Sequence, residues 1–283
     1  MALLRDAKPL MGTVFSIAAP DSVAPETFEA AWSEACGLLR RIEEVYSPFI
    51  ADSPVSRMRD GRLGPADLDG QPDLSAAEAL EFREVLGLCA QLRNESDGGF
   101  DAWAVGDPPN FDPCGAVKGW AAERASTLLV ERGVPAHLLN AGGDVRLRTD
   151  GSANWNVGIE DPHRPDQILV KLAVGDGAVA TSGTRQRGSH VWDPLRRRPA
   201  AGLAQVTIVG PDLALADGYA TAALALGERA RAFLGGLGAR GPYQGFTVDD
   251  AQAVWWTEGF EEHAPALRGL LRQGTGPEPD IGA

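Results

Sequence analysis

Asp217 and Thr221 stand four residues apart in Ala216-Asp217-Gly218-Tyr219-Ala220-Thr221, a spacing that puts both side chains on one face of a helix. A carboxylate and a hydroxyl offer the hard oxygen ligands that magnesium takes, the ion keeping waters and substrate phosphates for its other positions. The same spacing fits a solvated aspartate beside a threonine bonded back to its own helix. Asp112-Pro113-Cys114-Gly115-Ala116-Val117-Lys118-Gly119-Trp120 brings a glycine-bearing loop and a lysine to a predicted helix start, where free N–H groups and the helix dipole favour an anion such as a phosphate. It lacks the spacing of a P-loop, and an ordinary tight turn with a surface lysine is its alternative.

Asn140-Ala141-Gly142-Gly143-Asp144 follows a predicted strand; Gly142 and Gly143 would let a ligand approach the backbone, and a bulge or hairpin turn explains them equally well. Thr181-Ser182-Gly183 ends another strand, with His190-Val191-Trp192-Asp193-Pro194 close behind it. With an unperturbed pKa of roughly 6.5, His190 could take a proton from a hydroxyl nucleophile, or be merely structural. A hydrolase triad of Ser182, His190 and Asp193 lacks the G-x-S-x-G elbow, and no G-x-G-x-x-G opens a helix after a strand, so a dinucleotide-binding oxidoreductase has no fingerprint here.

The elements that must position these residues follow from periodicity. Leu10 to Ala18 reads as a strand entered through Met11-Gly12-Thr13, and Phe28, Trp32, Ala35, Leu39, Ile42 and Tyr46 mark one face of a helix. A second helix opens at Ser75 with the S-x-x-E form of a capping box and carries Phe82, Val85, Leu86, Cys89 and Leu92. Lys118 to Arg132 reads as helix stopped at Gly133, followed by a strand over His137 to Asn140. Trp155, Val157 and Ile159, then Ile168, Val170, Leu172 and Val174, alternate as strands do; Val206 to Val209 reads as a more buried strand, and a helix runs from about Asp212 to Leu226. Without strict strand–helix alternation, the class is α+β and not a doubly wound parallel sheet. One domain is expected over residues 1–265, with 266–283, rich in Gly and Pro, as a flexible tail.

The 283 residues include 44% hydrophobic and 23% charged ones, enough for a sizeable core. Cys36, Cys89 and Cys114 are odd in number and far apart, which suggests neither a disulfide framework nor a zinc site. No run approaches the ~18 apolar residues of a membrane span, and the first twenty residues lack the pattern of a signal peptide, so a cytoplasmic protein is expected. A net charge of -13 repels polyanions and argues against nucleic acid as a partner. An anionic ligand would need a metal ion, a lysine or backbone N–H groups to hold it.

In order and spacing these motifs resemble the ApbE family of FAD:protein FMN transferases from Met11 to about Leu226. Besides the segments above, Tyr46-Ser47-Pro48-Phe49 with Ser53, and Gly99-Phe100-Asp101, match family motifs. The resemblance implies an α+β fold of two related halves, similar to the T-fold, with the ligand between them. It implies that Asp217, Thr221 and the Val117 carbonyl hold Mg2+ against the pyrophosphate of FAD. It also implies that Met11, Ser47, Asp101, Lys118, Gly142, Gly143, Thr181 and Ser182 line the flavin-nucleotide site, with His190 near the reacting phosphorus. The implied reaction moves FMN from FAD to a Thr or Ser hydroxyl of an acceptor protein and releases AMP. Hydrolysis of FAD at the same site, or FAD binding without turnover, are the competing readings. Departures from the family pattern fall at Arg59, at Asp112 to Val117, at Glu123 and at Ala102-Trp103.

Overall fold

The computed structural model describes residues 2–71, 74–151, 154–184 and 191–269. Strands β1 (Leu3–Leu10) and β2 (Thr13–Pro20) open the chain, followed by helices α1 (Pro25–Tyr46), α2 (Pro54–Arg59), α3 (Ala76–Glu95) and α4 (Cys114–Glu131). Strands β3 (His137–Ala141), β4 (Asp144–Arg148), β5 (Trp155–Glu160), β6 (Ile168–Val174) and β7 (Gly177–Gly183) come next. The short pair β8 (Trp192–Asp193) and β9 (Arg198–Pro199) leads to β10 (Leu203–Gly210). Helices α5 (Leu213–Leu226) and α6 (Ala230–Arg240), strands β11 (Gln244–Asp249) and β12 (Val254–Trp256), and the one-turn helix α7 (Phe260–His263) complete it.

Eight strands form one antiparallel sheet in the order β1-β2-β3-β4-β7-β10-β11-β12. Because strand side chains alternate between faces, the sheet builds two cores. Leu139, Ala178, Ala180, Val206 and Ile208 pack in the larger one with α1, α3, α4 and α5. Leu147, Val179, Val209 and Phe246 pack in the smaller one with the β5–β6 hairpin and Phe260 of α7. All eight residues of β10 are buried, as expected of a central strand covered on both faces. The class is therefore α+β with an antiparallel sheet.

Several local expectations hold. The residues that α1 buries include the six of its expected face. At the start of α3 the Ser75 hydroxyl accepts the Glu78 N–H while the Glu78 carboxylate accepts the Ser75 N–H, a complete capping box. β5 and β6 pair with Trp155 opposite Val174.

Two boundaries differ from expectation. Leu10 to Ala18 is not one strand: Met11 and Gly12 form a tight turn between β1 and β2, with Met11 at φ 52° and Gly12 at 67°. Alternation continues on both sides of such a turn, which hides it in the sequence. α4 starts at Cys114, not Lys118, because the Asp112 carboxylate accepts the Cys114 N–H and stabilises the earlier turn. Lys118 therefore stands in the second turn of α4, and the reading of it as a lysine at a helix start is corrected. The tail expected from 266 onward keeps Leu267 buried in the smaller core, and its residues 270–283 lie outside the described ones.

Candidate active site

α4 and α5 lie against each other so closely that a Cβ on Gly119 would stand 2.6 Å from the Leu213 carbonyl oxygen and 2.7 Å from Asp217 Cβ. Only a residue without a side chain permits that approach. The contact brings Lys118 to Asp217, residues far apart in sequence: Lys118 Nζ donates to Asp217 Oδ2 at 3.0 Å, and the same oxygen accepts the Gly119 N–H at 2.9 Å. Lys118 Nζ also pairs with Asp144 Oδ2. The Asp144 and Asp217 side chains are only 3% and 4% exposed, so both carboxylates rely on these partners in place of water.

Asp144 opens β4 after the Gly142-Gly143 turn. Gly142 has φ 65°, and a Cβ there would stand 2.2 Å from Thr13 Oγ1; its N–H donates to the Val14 carbonyl at 3.0 Å. The Asn140 side chain accepts the Gly143 N–H at 2.8 Å and closes the turn. The paired glycines thus seat this hairpin beside the Met11-Gly12 turn, and Asp144 leaves it pointing at Lys118.

The hydroxyls Thr181 and Ser182 separate, because adjacent strand residues face opposite sides of the sheet. Ser182 Oγ is 3.3 Å from Thr221 Oγ1, on the helix side. Thr181 Oγ1 bonds Thr207 Oγ1 at 2.9 Å on the other side, and only its N–H serves the site, donating to Asp144 Oδ1 at 2.8 Å. Val117, in the first turn of α4, is buried. A Cβ on Gly115 would touch both Thr221 Cγ2 and the Phe100 ring at 3.1 Å.

Lys118, Asp217, Thr221, Ser182 and the Thr181 N–H therefore converge, with Met11, Gly142 and Gly143 at the adjoining turns. Asp101 and Ser47 find hydrogen-bond partners outside this cluster. Asp101 pairs with Arg93 at 2.8 Å and accepts the Trp103 N–H, beside a cleft of about 280 Å³ lined by Cys89, Arg93 and Trp103. Burial pushes the Cys89 thiol up to about 12, so it stays protonated there. Ser47 ends α1, its hydroxyl accepting the Phe49 N–H. His190 lies outside the described residues.

Sequence reasoning missed two members. Asp144 stood inside a matched motif, and its position just after a glycine pair was the available signal. Arg59 reaches across the loop before α4: its Nε donates to the Phe111 carbonyl and its second amine to Asp112 Oδ2, both at 3.0 Å. It pins the aspartate that starts the helix carrying Lys118, a role with no local sequence signal.

Residues 105–239 match the ApbE family, and that stretch contains Lys118, Asp144, Ser182, Asp217 and Thr221. An FAD:protein FMN transferase from Rhodobacter capsulatus is 36% identical over 122 residues, which cover 40% of this chain and 23% of that relative. One from Vibrio cholerae is 33% identical over 126 residues, covering 40% and 37%. The chain thus spans well under half the length of these curated relatives. The crystal structure of the ApbE protein from Thermotoga maritima superposes with a TM-score of 0.76 at 20% identity, covering 93% of this chain and 99% of that one. The flavin transferase ApbE from Vibrio cholerae gives 0.72, also at 20% identity and with the same coverages. The ApbE fold therefore extends over nearly the whole chain, beyond the ApbE segment.

Among the described residues no cluster of three or more His, Cys, Asp or Glu forms, so a soft or all-carboxylate metal cage is absent there. What the ApbE segment supplies is oxygen of mixed kind, Asp217 and Asp144 carboxylates with Thr221 and Ser182 hydroxyls. That donor set fits a hard cation that completes its shell with water and phosphate. A cation, the Lys118 ammonium, already rests on both carboxylates.

Proposed function

We propose that this chain is a Mg2+-dependent FAD:protein FMN transferase, a single-domain enzyme to about residue 265, acting on a Thr or Ser of an acceptor protein. The observation that carries the reading is the convergence of Lys118, Asp217, Thr221 and Ser182 within the ApbE segment. Asp217 and Thr221, with the Val117 carbonyl, would hold the ion, which when bound neutralises phosphate oxygens and stabilises the charge of the leaving group.

In the proposed reaction the acceptor hydroxyl oxygen attacks the phosphorus of the FMN half in line. The bond from that phosphorus to the bridging oxygen breaks, and AMP leaves with the electron pair. The hydroxyl proton passes to a base, for which His190 is the candidate. Lys118, in the second turn of α4, would set a positive charge toward the pyrophosphate. The hydroxyls of Ser182 and Thr221 and the paired glycines 142 and 143 leave polar groups and open backbone for the nucleotide. Met11, Ser47, Asp101 and the Thr181 N–H complete the proposed flavin-nucleotide site.

No helix among the described residues is long and apolar enough to cross a membrane. None of Cys36, Cys89 and Cys114 is in a disulfide, which suits the reducing cytoplasm in which we place the protein.

The test incubates the protein with FAD, with Mg2+ or EDTA, and with or without a threonine-bearing acceptor peptide. Magnesium-dependent AMP together with a peptide heavier by one FMN group is the expected result. AMP without a modified peptide would identify FAD hydrolysis instead, and bound FAD without AMP a binding protein. Asp217→Ala is expected to slow AMP release on the order of 100-fold; full turnover in that variant would remove Asp217 from the metal site.

A further inference from the structure

Lys118 faces two carboxylates, not one. Its ammonium pairs with Asp144 Oδ2 and with Asp217 Oδ2, both side chains being almost fully buried while Lys118 itself is 21% exposed. Two carboxylates against one ammonium leave one negative charge without a counter-charge. No other ion pair reaches Asp144 or Asp217 among the described residues, and the remaining donors are the N–H groups of Gly119 and Thr181. A buried site with excess negative charge is costly for the protein to keep. A divalent cation in the place of the ammonium would balance the two carboxylates.

We infer that Lys118 is a placeholder for the cation: in the metal-free protein its ammonium occupies the position between Asp144 and Asp217 that a divalent ion takes on binding. Two consequences follow for the chain's own residues. Asp144, held in place by the Thr181 N–H, is a second carboxylate facing the ion, in addition to Asp217. Lys118 is released when the ion arrives, and its partly exposed amine is then free to turn toward an anionic group of the substrate. The metal-free site is thereby kept folded and unreactive, since the one charge that could draw a phosphate inward is spent on the carboxylates. This inference rests on the proposed metal dependence but not on the identity of the transferred group.

The experiment uses the full chain without FAD. Calorimetric titration with MgCl2 compares the unsubstituted protein with Lys118→Met, which matches the length of the side chain and lacks the charge. Removing the competitor is expected to tighten Mg2+ binding at least tenfold; equal or weaker binding, or no binding by either protein, overturns the inference. Asp144→Asn in the Lys118→Met background is expected to lose that gain, and retention of it would remove Asp144 from the site.

A second measurement needs no variant and covers the case in which Lys118→Met fails to fold. The unsubstituted protein is labelled with an amine-reactive ester, with MgCl2 or with NaCl at matched ionic strength. The chain's other lysines, Lys8 and Lys171, serve as internal references. Labelling of Lys118 is expected to rise several-fold with Mg2+ relative to the references; unchanged or reduced labelling overturns the inference. Neither readout involves turnover. If Mg2+ tightens as expected and FAD is not cleaved, the proposed activity alone fails; if FAD is cleaved and Mg2+ affinity and labelling do not respond, this inference alone fails.

Discussion

Two charge clusters sit on the same helix, little more than one turn apart. The Lys118 cluster sets one ammonium against the buried carboxylates of Asp144 and Asp217. The Glu123 cluster sets two guanidiniums, Arg146 and Arg148, against the carboxylates of Glu123 and Asp176. The second is balanced and closed. Arg146, with a side chain only 3% exposed, donates to Glu123 at 2.8 Å and to the carbonyls of Leu147 and Gly177 at 2.7 and 2.6 Å. Glu123 spends its other oxygen on the Leu213 N–H at the start of α5. That arrangement joins α4, α5, β4 and the turn before β7, and it leaves no charge to recruit anything further. The Lys118 cluster is one positive charge short, and it is there that the proposed cation would bind. Charge balance separates the structural network from the proposed binding one, since each has buried charged members, Arg146 in the first and Asp144 with Asp217 in the second.

The comparison breaks first at Arg146. Replacing it with Met takes the buried partner from Glu123 and the donor from the Leu147 and Gly177 carbonyls, leaving Glu123 and Asp176 to Arg148, and a loss of about 3–5 kcal/mol is expected by denaturant unfolding. A loss under about 1 kcal/mol would mean that the balanced network holds nothing together.

A pH titration sharpens the same side. His137 is fully buried beside this network, its ring nitrogens bonded to Ser126 Oγ and the Val134 carbonyl at 2.9 Å, and Arg148 reaches the same Ser126 hydroxyl at 3.4 Å. Burial lowers its pKa from 6.5 to about 4. The unfolded chain therefore binds more protons than the folded one between those values, so stability is complete above the unfolded pKa and falls as pH drops toward 4. Over the whole window the loss is about 3 kcal/mol. His137→Gln should flatten that part of the stability profile, and an unchanged slope would assign the acid sensitivity to other groups.

The smallest expected effect links the two clusters. Gly119→Ala places a methyl against the Leu213 carbonyl, whose residue Glu123 holds, and against Asp217 Cβ. Prying α4 from α5 there should cost about 1–3 kcal/mol of stability and weaken Mg2+ binding by moving the Val117 carbonyl of α4 away from Asp217 and Thr221 of α5, the groups proposed to hold the ion. Loss of stability with unchanged Mg2+ affinity would show that the helix contact does not set the site.

Much of this was legible locally. The capping box at Ser75, the buried strand around Val206 to Val209, and the helix that presents Asp217 and Thr221 on one side each depend on residues within a few positions of one another. Thr181 and Ser182 show the limit of such reading. As neighbours they looked like a pair of hydroxyls, and only the course of β7 between β4 and β10 decided that Ser182 faces Thr221 while Thr181 faces Thr207. Residues 227–263 carried no assigned elements, because α6 has three glycines and a weak apolar face, and its place comes from packing on α5 and β11.

The sequence by itself determined the α+β class, the helix bearing Asp217 and Thr221, and the motifs by which the chain resembles ApbE proteins, since periodicity and short-range spacing are properties of the chain alone. Only the tertiary structure decided that Lys118 meets Asp217 across the Gly119 contact and that Asp144 joins them from β4. Those meetings depend on how closely two helices and a strand can approach. That distance is set by side-chain volume and sheet register summed over the whole core, and no short stretch of sequence encodes it.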